Sequence, residues 1–264
     1  DLAKLGVPVA LSCKVGDDLF GHFVYDTCKN SGVDVTGVVV DPTVQTTTSV
    51  VCINSDGERS FLYNGGSTSR MVESDVPDWL LCDCDIIFLA GALLTHGLDG
   101  EPAARIFRRA QEVGKFTVMD TAWDPTGRWM EGVRPALKYL DLFMPSIEEA
   151  EKMTGETDVD RIADVFFENG VKNVIIKAGK RGAYIREGGK KGYFAPTYLS
   201  VKRVDTTGAG DSFCAGFLAG IAQGKSFEES AKLGNAVGSH CIMAMGASTG
   251  IKPLADIYKF MEEH

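Results

Sequence analysis

The chain has 264 residues, of which 44% are hydrophobic and 24% are charged, and its formal net charge is −9. This composition is that of an ordinary globular protein and excludes a disordered acidic chain, which would lack the apolar surface needed to fold. The negative charge and the absence of a basic run also exclude a protein dedicated to duplex nucleic acid, because phosphates attract clustered lysine and arginine.

The first quarter of the chain predicts a strand at 7–12, a helix at 18–31 and then a block of β-strands. Three runs rich in Val and Thr form this block, at 35–40, 46–54 and 58–63. Asp56-Gly57 lies between the last two runs, and Asp-Gly between alternating strands is a strong hairpin signal. Residues 35–64 are therefore predicted to form a small β-sheet attached to the core.

From residue 85 the pattern alternates between short apolar strands and helices. Strands are predicted at 85–91, 116–120, 141–144 and 173–177, and helices at 101–113, 130–139, 146–153 and 160–168. Antiparallel additions at 182–204 and three helices, at about 209–222, 227–244 and 253–262, complete the chain. Such alternation predicts a mostly parallel sheet with helices on both faces. We expect one three-layer α/β domain over 1–264, with the block 35–64 inserted in it.

The cysteines and the hydropathy pattern indicate where the protein works. Seven cysteines are scattered through apolar stretches, which is typical of reduced thiols and predicts a cytoplasmic protein. No apolar run approaches the ~18 residues that a membrane span needs.

Two short matches to catalytic motifs fail on their context. Residues 220–226 resemble a phosphate-binding P-loop, but three residues separate the glycines instead of four, and the stretch ends a helix where a P-loop opens one. Residues 246–250 match G-x-S-x-G, but a helical pattern precedes them where a nucleophile elbow needs a strand. No G-x-G-x-x-G follows a strand, so a nicotinamide-dependent dehydrogenase has no anchor here.

The chemistry is expected at residues 204–213, where a β-like stretch at 199–204 leads into a helix that begins at about Ala209. Gly208 and Gly210 lack a Cβ, which lets the backbone approach a ligand. The first amides of a helix have no partner within it, so this segment can form an anion hole for a transferring phosphoryl group. Asp211 lies in the first turn, where the helix dipole favours a carboxylate that can accept a proton from an attacking alcohol. The alternative is a structural glycine-rich helix start with an acidic first turn.

The string Asp-Thr-Thr-Gly-Ala-Gly-Asp-Ser-Phe at 205–213, followed by Ala-Gly-Phe at 215–217, resembles the C-terminal signature of the ribokinase-like (PfkB) carbohydrate kinases. The resemblance covers nearly the whole chain. Residues 146–150 are similar to the family's N-x-x-E, residues 177–182 to its T-x-G-x-x-G nucleotide segment, and Asn235-Ala236 to an Asn-Ala on its penultimate helix. It implies a ribokinase-like core, with a mostly parallel sheet flanked by helices, and a β lid at 35–64.

The resemblance implies a role for each matching residue. Asp211 would be the base that activates a hydroxymethyl group of the sugar, while the amides of Gly208, Ala209 and Gly210 would hold the γ-phosphate. Glu149 would help position Mg²⁺, through water. The ATP pocket would be formed by Ser146, Lys177, Gly179, Gly182 and Asn235. A monovalent cation, K⁺, would be held by backbone at Asp205, Thr207, Ala244 and Gly246. Gly91, at the end of a strand, would either floor the sugar pocket or only end that strand.

Three departures from the family pattern matter. Ser146 stands where the family has Asn, which shortens one polar contact. Lys177 replaces Thr, and it either adds a charge near the phosphates or extends to solvent. The family's first strand, with a sugar-binding Asp, and its Gly-Gly-x-x-x-N segment do not occur here. We expect an N-terminal segment to be missing from this chain; the alternative is a degenerate member of the family.

Three functions remain open from the sequence. The first is an ATP-dependent kinase that phosphorylates a ketose, a pentose or a sugar acid. The second is a nucleoside kinase of the same fold, and the third is a non-catalytic member that binds nucleotide. The expected partners are a small sugar and ATP, without nucleic acid or membrane, and the Val/Thr-rich face of the lid predicts a homodimer.

Overall fold

The structure is a computed structural model, and it describes residues 1–53 and 59–264. The predicted turn at Asp56-Gly57 lies outside the described residues. The strands are β1 (Ala10–Gly16), β2 (Asp34–Asp41), β3 (Thr48–Ile53), β4 (Arg59–Asn64), β5 (Ile86–Ala92), β6 (Phe116–Thr121), β7 (Leu142–Phe143), β8 (Asn173–Lys177), β9 (Ala183–Glu187) and β10 (Tyr193–Ala195). The helices are α1 (Leu19–Asn30), α2 (Asp78–Asp83), α3 (Glu101–Glu112), α4 (Met130–Leu137), α5 (Ile147–Thr154), α6 (Val159–Glu168), α7 (Ala209–Ala222), α8 (Phe227–Ile242) and α9 (Leu254–Glu263).

A six-stranded sheet in the order β10-β9-β8-β7-β6-β5 forms the centre of the fold. Strands β5 to β8 are parallel, and β9 and β10 add to them in antiparallel fashion. One face packs on α3 to α6 through a buried cluster that includes Phe143 and Phe166, and the other packs on α7 and α8 through Val118 and Phe217. The predicted three layers are therefore present. Because β5 to β8 are parallel, their carboxyl ends lie at one edge of the sheet, where ligands bind in open α/β folds.

The strands of the predicted β block, 35–64, belong to two separate sheets. β2 pairs in parallel with β1, and α1 supplies the long crossover that a parallel pair requires. Only β3 and β4 form an antiparallel pair of their own. Residues of β1 and β5 line an apolar groove of about 350 Å³. The alternating pattern identified these strands correctly, but it carries no information on which strand each one joins.

Helix α7 is buried along most of its length, and its packing fixes where its first turn lies. Residues 212–220 are all buried, which is typical of a central helix. A Cβ built on Gly216 would lie 2.8 Å from Val237 Cγ2, and one on Gly220 would lie 2.8 Å from Ser230 Cα, so these glycines let α7 and α8 approach closely. The start of α7 is thus held in place by a rigid pair of helices.

Three differences from the predicted elements stand out. The strand predicted at 7–12 is β1, which runs later in the chain, over Ala10–Gly16. The β-like stretch predicted at 199–204 is wrong, since this segment is an irregular loop whose Val204 N–H donates to Ile242 O at 2.8 Å. The helix predicted at 227–244 ends at Ile242. Within the described ranges, no helix combines the length and apolarity that crossing a membrane requires.

Candidate active site

Gly208, directly before α7, shapes the first turn of that helix. Gly208 caps the helix with φ = 78°, a left-handed conformation, and its carbonyl accepts from Ser212 N–H at 2.8 Å. A Cβ on Gly208 would overlap the carbonyl oxygen of Ala247, so no larger residue fits without a shift of the backbone. The Ala209 N–H donates to Thr206 O at 3.3 Å, so one of the three amides predicted to form the anion hole is already engaged.

Asp211 is the third residue of α7 and is exposed, whereas the nine residues after it are buried. Its carboxylate therefore faces open space at the positive end of the helix and not the interior. This is the position that the predicted general base requires, because a base must reach the hydroxyl of a bound substrate.

A cavity of about 490 Å³ opens beside the first turn of α7. Ala209 and Gly210 form part of its wall, together with four of the five residues predicted to bind nucleotide: Lys177, Gly179, Gly182 and Asn235. The loop at 197–203, to which the sequence assigned no ligand contact, also lines the cavity, through Tyr198, Leu199, Val201 and Arg203. The volume suits a ligand of nucleotide size.

Asn235 acts on the cavity wall through the backbone. Its Nδ2 donates to Ala195 O at 3.0 Å and to Pro196 O at 3.1 Å, and the side chain is buried. Gly182 has φ = 83°, and a Cβ there would overlap Ala195 O. Both residues therefore hold the 195–196 backbone in place and shape the wall of the cavity.

Ser146 and Glu149 form a capping box at the start of α5. The Ser146 hydroxyl accepts from Glu149 N–H at 3.3 Å, and Glu149 Oε2 accepts from Ser146 N–H at 3.0 Å. Thr121 Oγ1 also donates to Glu149 Oε2, at 2.9 Å. Ser146 is joined to Lys177 by a parallel β-bridge, which places α5 next to the end of β8. The S-x-x-E spacing is a capping signal that was readable in the sequence.

The surroundings of Glu149 fit a Mg²⁺ ion that is held jointly by the protein and by the nucleotide. The described residues contain no group of three His, Cys, Asp or Glu side chains able to hold a metal. In kinases one or two carboxylates, waters and the phosphates of the substrate complete the shell. Glu149 is 9% exposed and its two hydrogen bonds above are both to Oε2, so Oε1 is not committed by them.

Lys177 does not extend to solvent. Its side chain is 13% exposed, and Nζ lies 2.5 Å from Asp120 Oδ1 and 3.8 Å from Cys214 Sγ. Burial alone would lower the pKa of Lys177, but its interactions with the groups around it, chiefly Asp120, together outweigh burial and raise that pKa. Burial raises the pKa of Cys214, so its thiol keeps the proton that it donates to Asp120 Oδ2 at 3.4 Å. A charged ammonium therefore lies in the wall of the cavity.

The segments predicted to bind K⁺ lie against each other. Asp205 joins them, since its Oδ1 accepts from Thr207 N–H at 2.9 Å and its Oδ2 from Gly246 N–H at 3.0 Å. The Cys241 thiol lies within 3.3 Å of Thr207 O, and Ala244 follows α8 in the same turn. The two segments, 205–207 and 244–246, are thus held together next to Gly208.

Gly91 lies at an irregularity near the carboxyl end of β5, where the register with β6 shifts between Leu89 and Ala92. Its φ is 73°, and a Cβ there would meet open space. It shares the sheet edge with Thr121 and Lys177, the last residues of β6 and β8.

Sequence reasoning gave no role to Asp120, Thr121 or Cys214, although all three contact predicted site residues. A signal existed for the first two, because polar residues at the carboxyl end of a parallel strand commonly face the ligand. Cys214 carried none, since a buried cysteine in a helix is usually a small hydrophobe.

A helix start, an exposed carboxylate and a neighbouring cavity meet at the edge of a parallel sheet, an arrangement of the kind that phosphoryl-transfer enzymes use. Known proteins that are similar to this chain are kinases that transfer phosphate to sugars. The pattern of the pfkB family carbohydrate kinases matches residues 2–253. A 2-dehydro-3-deoxygluconokinase of Bacillus subtilis is 28% identical over 98% of this chain and 83% of its own length, and a probable fructokinase-5 of Arabidopsis thaliana is 30% identical over 99% and 85%.

A putative ribokinase II of E. coli, solved in complex with ATP and Mg²⁺, superposes with a TM-score of 0.88 at 26% identity and covers all of this chain and 86% of its own. The chain belongs to the PfkB family of carbohydrate kinases. The predicted family, the ribokinase-like fold and the enzyme class, a carbohydrate kinase, are confirmed.

Proposed function

We propose that the protein transfers the γ-phosphoryl group of ATP to a hydroxymethyl group of a small sugar, namely a ketose, a pentose or a sugar acid. The observation that carries this proposal is the exposed Asp211 carboxylate in the first turn of α7, whose neighbours Ala209 and Gly210 line the 490 Å³ cavity. This arrangement offers a base on one side of a phosphate site and room for a nucleotide on the other.

In the proposed reaction Asp211 accepts the proton of the sugar hydroxyl as its oxygen attacks the γ-phosphorus. The new P–O bond forms while the bond from the γ-phosphorus to the β–γ bridging oxygen breaks, and ADP leaves with that electron pair. Amides of Gly208 and Gly210 stabilise the negative charge on the transferred group, and Lys177 adds a positive charge beside it. Glu149 would hold Mg²⁺ through water, and the ion would supply positive charge that neutralises the phosphates.

The sugar is proposed as a ketose or a sugar acid first, because the relatives above are named for fructose and for 2-dehydro-3-deoxygluconate. The test is ADP release with fructose, ribose, 2-dehydro-3-deoxygluconate and adenosine as acceptors. We expect one of the sugars to be preferred over adenosine. Activity with adenosine alone would establish a nucleoside kinase, and ATP binding without ADP release would establish the non-catalytic alternative.

Glu149→Gln is expected to raise the Mg²⁺ concentration that gives half-maximal activity by about 10-fold, because support of a metal shell typically contributes 10- to 100-fold in affinity. The glutamine keeps the size of the side chain and an oxygen for the capping box. Glu148→Gln, on the exposed side of the same turn, is the matched control and should leave the Mg²⁺ dependence unchanged. Equal Mg²⁺ titrations for both variants would contradict the role of Glu149.

We propose that the protein is a homodimer through β3 and β4, which act as the lid. Val50 and Leu62 are paired across these strands and are 57% and 67% exposed, so they form an apolar patch. The double change Val50→Asp/Leu62→Asp is expected to halve the mass measured by sedimentation velocity. Val113→Asp, an equally exposed site at the end of α3, is the control. A wild-type protein that sediments as a monomer at tens of micromolar contradicts the dimer.

We also propose that K⁺ binds the carbonyls around Asp205, Thr207, Ala244 and Gly246, next to the anion hole. The contacts of Asp205 with both segments support this proposal.

The proposed compartment is the cytoplasm, because all seven cysteines are free thiols.

A further inference from the structure

We propose that Asp120 is a positioning residue that holds the Lys177 ammonium in the cavity wall, where it contacts the outer phosphates of the nucleotide. This inference rests on the proposed function, since it assumes that the cavity beside α7 takes ATP. It assigns a role to Asp120 and explains why a lysine ends β8.

The position of the ammonium is fixed relative to the predicted anion hole. A Cβ built on Gly210 would lie 3.5 Å from Lys177 Nζ, and both residues line the same cavity. Any phosphate oxygen that accepts from the first amides of α7 therefore comes within a few ångströms of this ammonium. A lysine there serves as a point charge for phosphate, as lysines do in other phosphate sites.

Asp120 acts through Lys177. It is only 2% exposed, so it is shielded from the cavity itself. Its two oxygens are engaged on opposite sides. Oδ1 accepts from Lys177 Nζ at 2.5 Å and from the Thr121 N–H at 2.8 Å, while Oδ2 accepts from the Cys214 thiol at 3.4 Å. The carboxylate is thus fixed by β6 and α7, and it fixes the ammonium of β8 in turn.

The burial of the Lys177–Asp120 ion pair requires an explanation, because it costs free energy. Removing a carboxylate and an ammonium from water is expensive, and an apolar pair of similar size is often at least as stable. Lysine side chains usually bury their aliphatic stem and keep the ammonium in water. The ammonium of Lys177 is instead buried beside Asp120. The pair also connects the two halves of the site, because Thr121, next to Asp120, donates to Glu149 on the Mg²⁺ side. A binding role for the ammonium accounts for its retention in the wall.

The experiment is calorimetric titration of the full chain with a non-hydrolysable ATP analogue, AMP-PNP, and with adenosine. Lys177→Thr is expected to weaken AMP-PNP binding by about 10- to 100-fold, the usual loss for a charge-assisted hydrogen bond, and to leave adenosine binding unchanged. Asp120→Asn should weaken AMP-PNP binding by a smaller factor. The double variant should bind AMP-PNP no more weakly than Lys177→Thr, because Asp120 has no effect without the lysine.

Lys172→Thr is the matched control, since Lys172 pairs with Asp141 at 2.7 Å directly before β8 and β7 begin, and it should bind both ligands like wild type. Each single variant leaves one buried charge without its partner, so thermal unfolding is measured alongside. If a single variant fails to fold, the double variant, which removes both charges, still tests the lysine. Equal AMP-PNP affinity in wild type and the double variant, or losses that multiply between the single variants, would overturn the inference. Wild-type protein that binds no AMP-PNP would instead refute the proposed function.

Discussion

Replacing Asp211 with Asn is expected to lower kcat by about 10²- to 10⁴-fold, the usual contribution of a general base. The asparagine keeps the shape of the side chain but cannot take the proton of the sugar hydroxyl. Because Asp211 is exposed and the fold does not depend on it, the KM for ATP should change little. The measurement is steady-state ADP release with the preferred sugar.

The control for this prediction is an acid in a comparable place. Glu101 is exposed in the first turn of α3, so Glu101→Gln loses the same favourable contact with a helix dipole, about 0.3–1 kcal/mol, without touching the site. Both variants should unfold at nearly the same temperature, and only Asp211→Asn should lose activity. If Asp211→Asn keeps wild-type turnover, the base is a different group and the proposed reaction fails.

Local signals were sufficient for much of the fold. β8 and α7 have the bounds that the sequence predicted, 173–177 and 209–222. A continuous apolar run ended by Lys177 determines the first, and a glycine at the start with an apolar helical face determines the second. The sequence also placed Asp211 in the first turn of this helix, where the structure has it.

The sequence did not predict which strands pair with each other or which distant side chains come into contact. The pairing of β2 with β1 depends on the crossover helix α1, and the Val- and Thr-rich pattern of β2 is equally suited to the lid. Asp120 and Lys177 are 57 residues apart, so only the parallel order of β6, β7 and β8 brings their ends together. Ser146 shows the opposite case, since its S-x-x-E spacing is a local capping signal that the resemblance to the family's N-x-x-E obscured.

The second large effect is expected for Gly208→Ala, which should lower kcat by about 10²- to 10³-fold, as the loss of an anion-hole donor does. The reason is steric and conformational. Gly208 has φ = 78°, and a Cβ there would overlap the backbone carbonyl of Ala247, so the first turn of α7 must move. The amides that we propose to hold the transferred phosphoryl group move with it. We also expect unfolding to become easier by about 1–3 kcal/mol, the cost of local backbone strain.

Gly224→Ala separates the two parts of this effect. Gly224 follows the other end of α7 with φ = 74°, but a Cβ there would meet open space. Both variants lose about 1–2 kcal/mol of stability because alanine is forced into a left-handed backbone conformation. Only Gly208→Ala also displaces the amides of the proposed anion hole. Activity measured well below both unfolding temperatures should therefore be normal for Gly224→Ala and strongly reduced for Gly208→Ala. If both variants were equally active, the start of α7 would not be the phosphate site, because displacing its amides would have cost nothing.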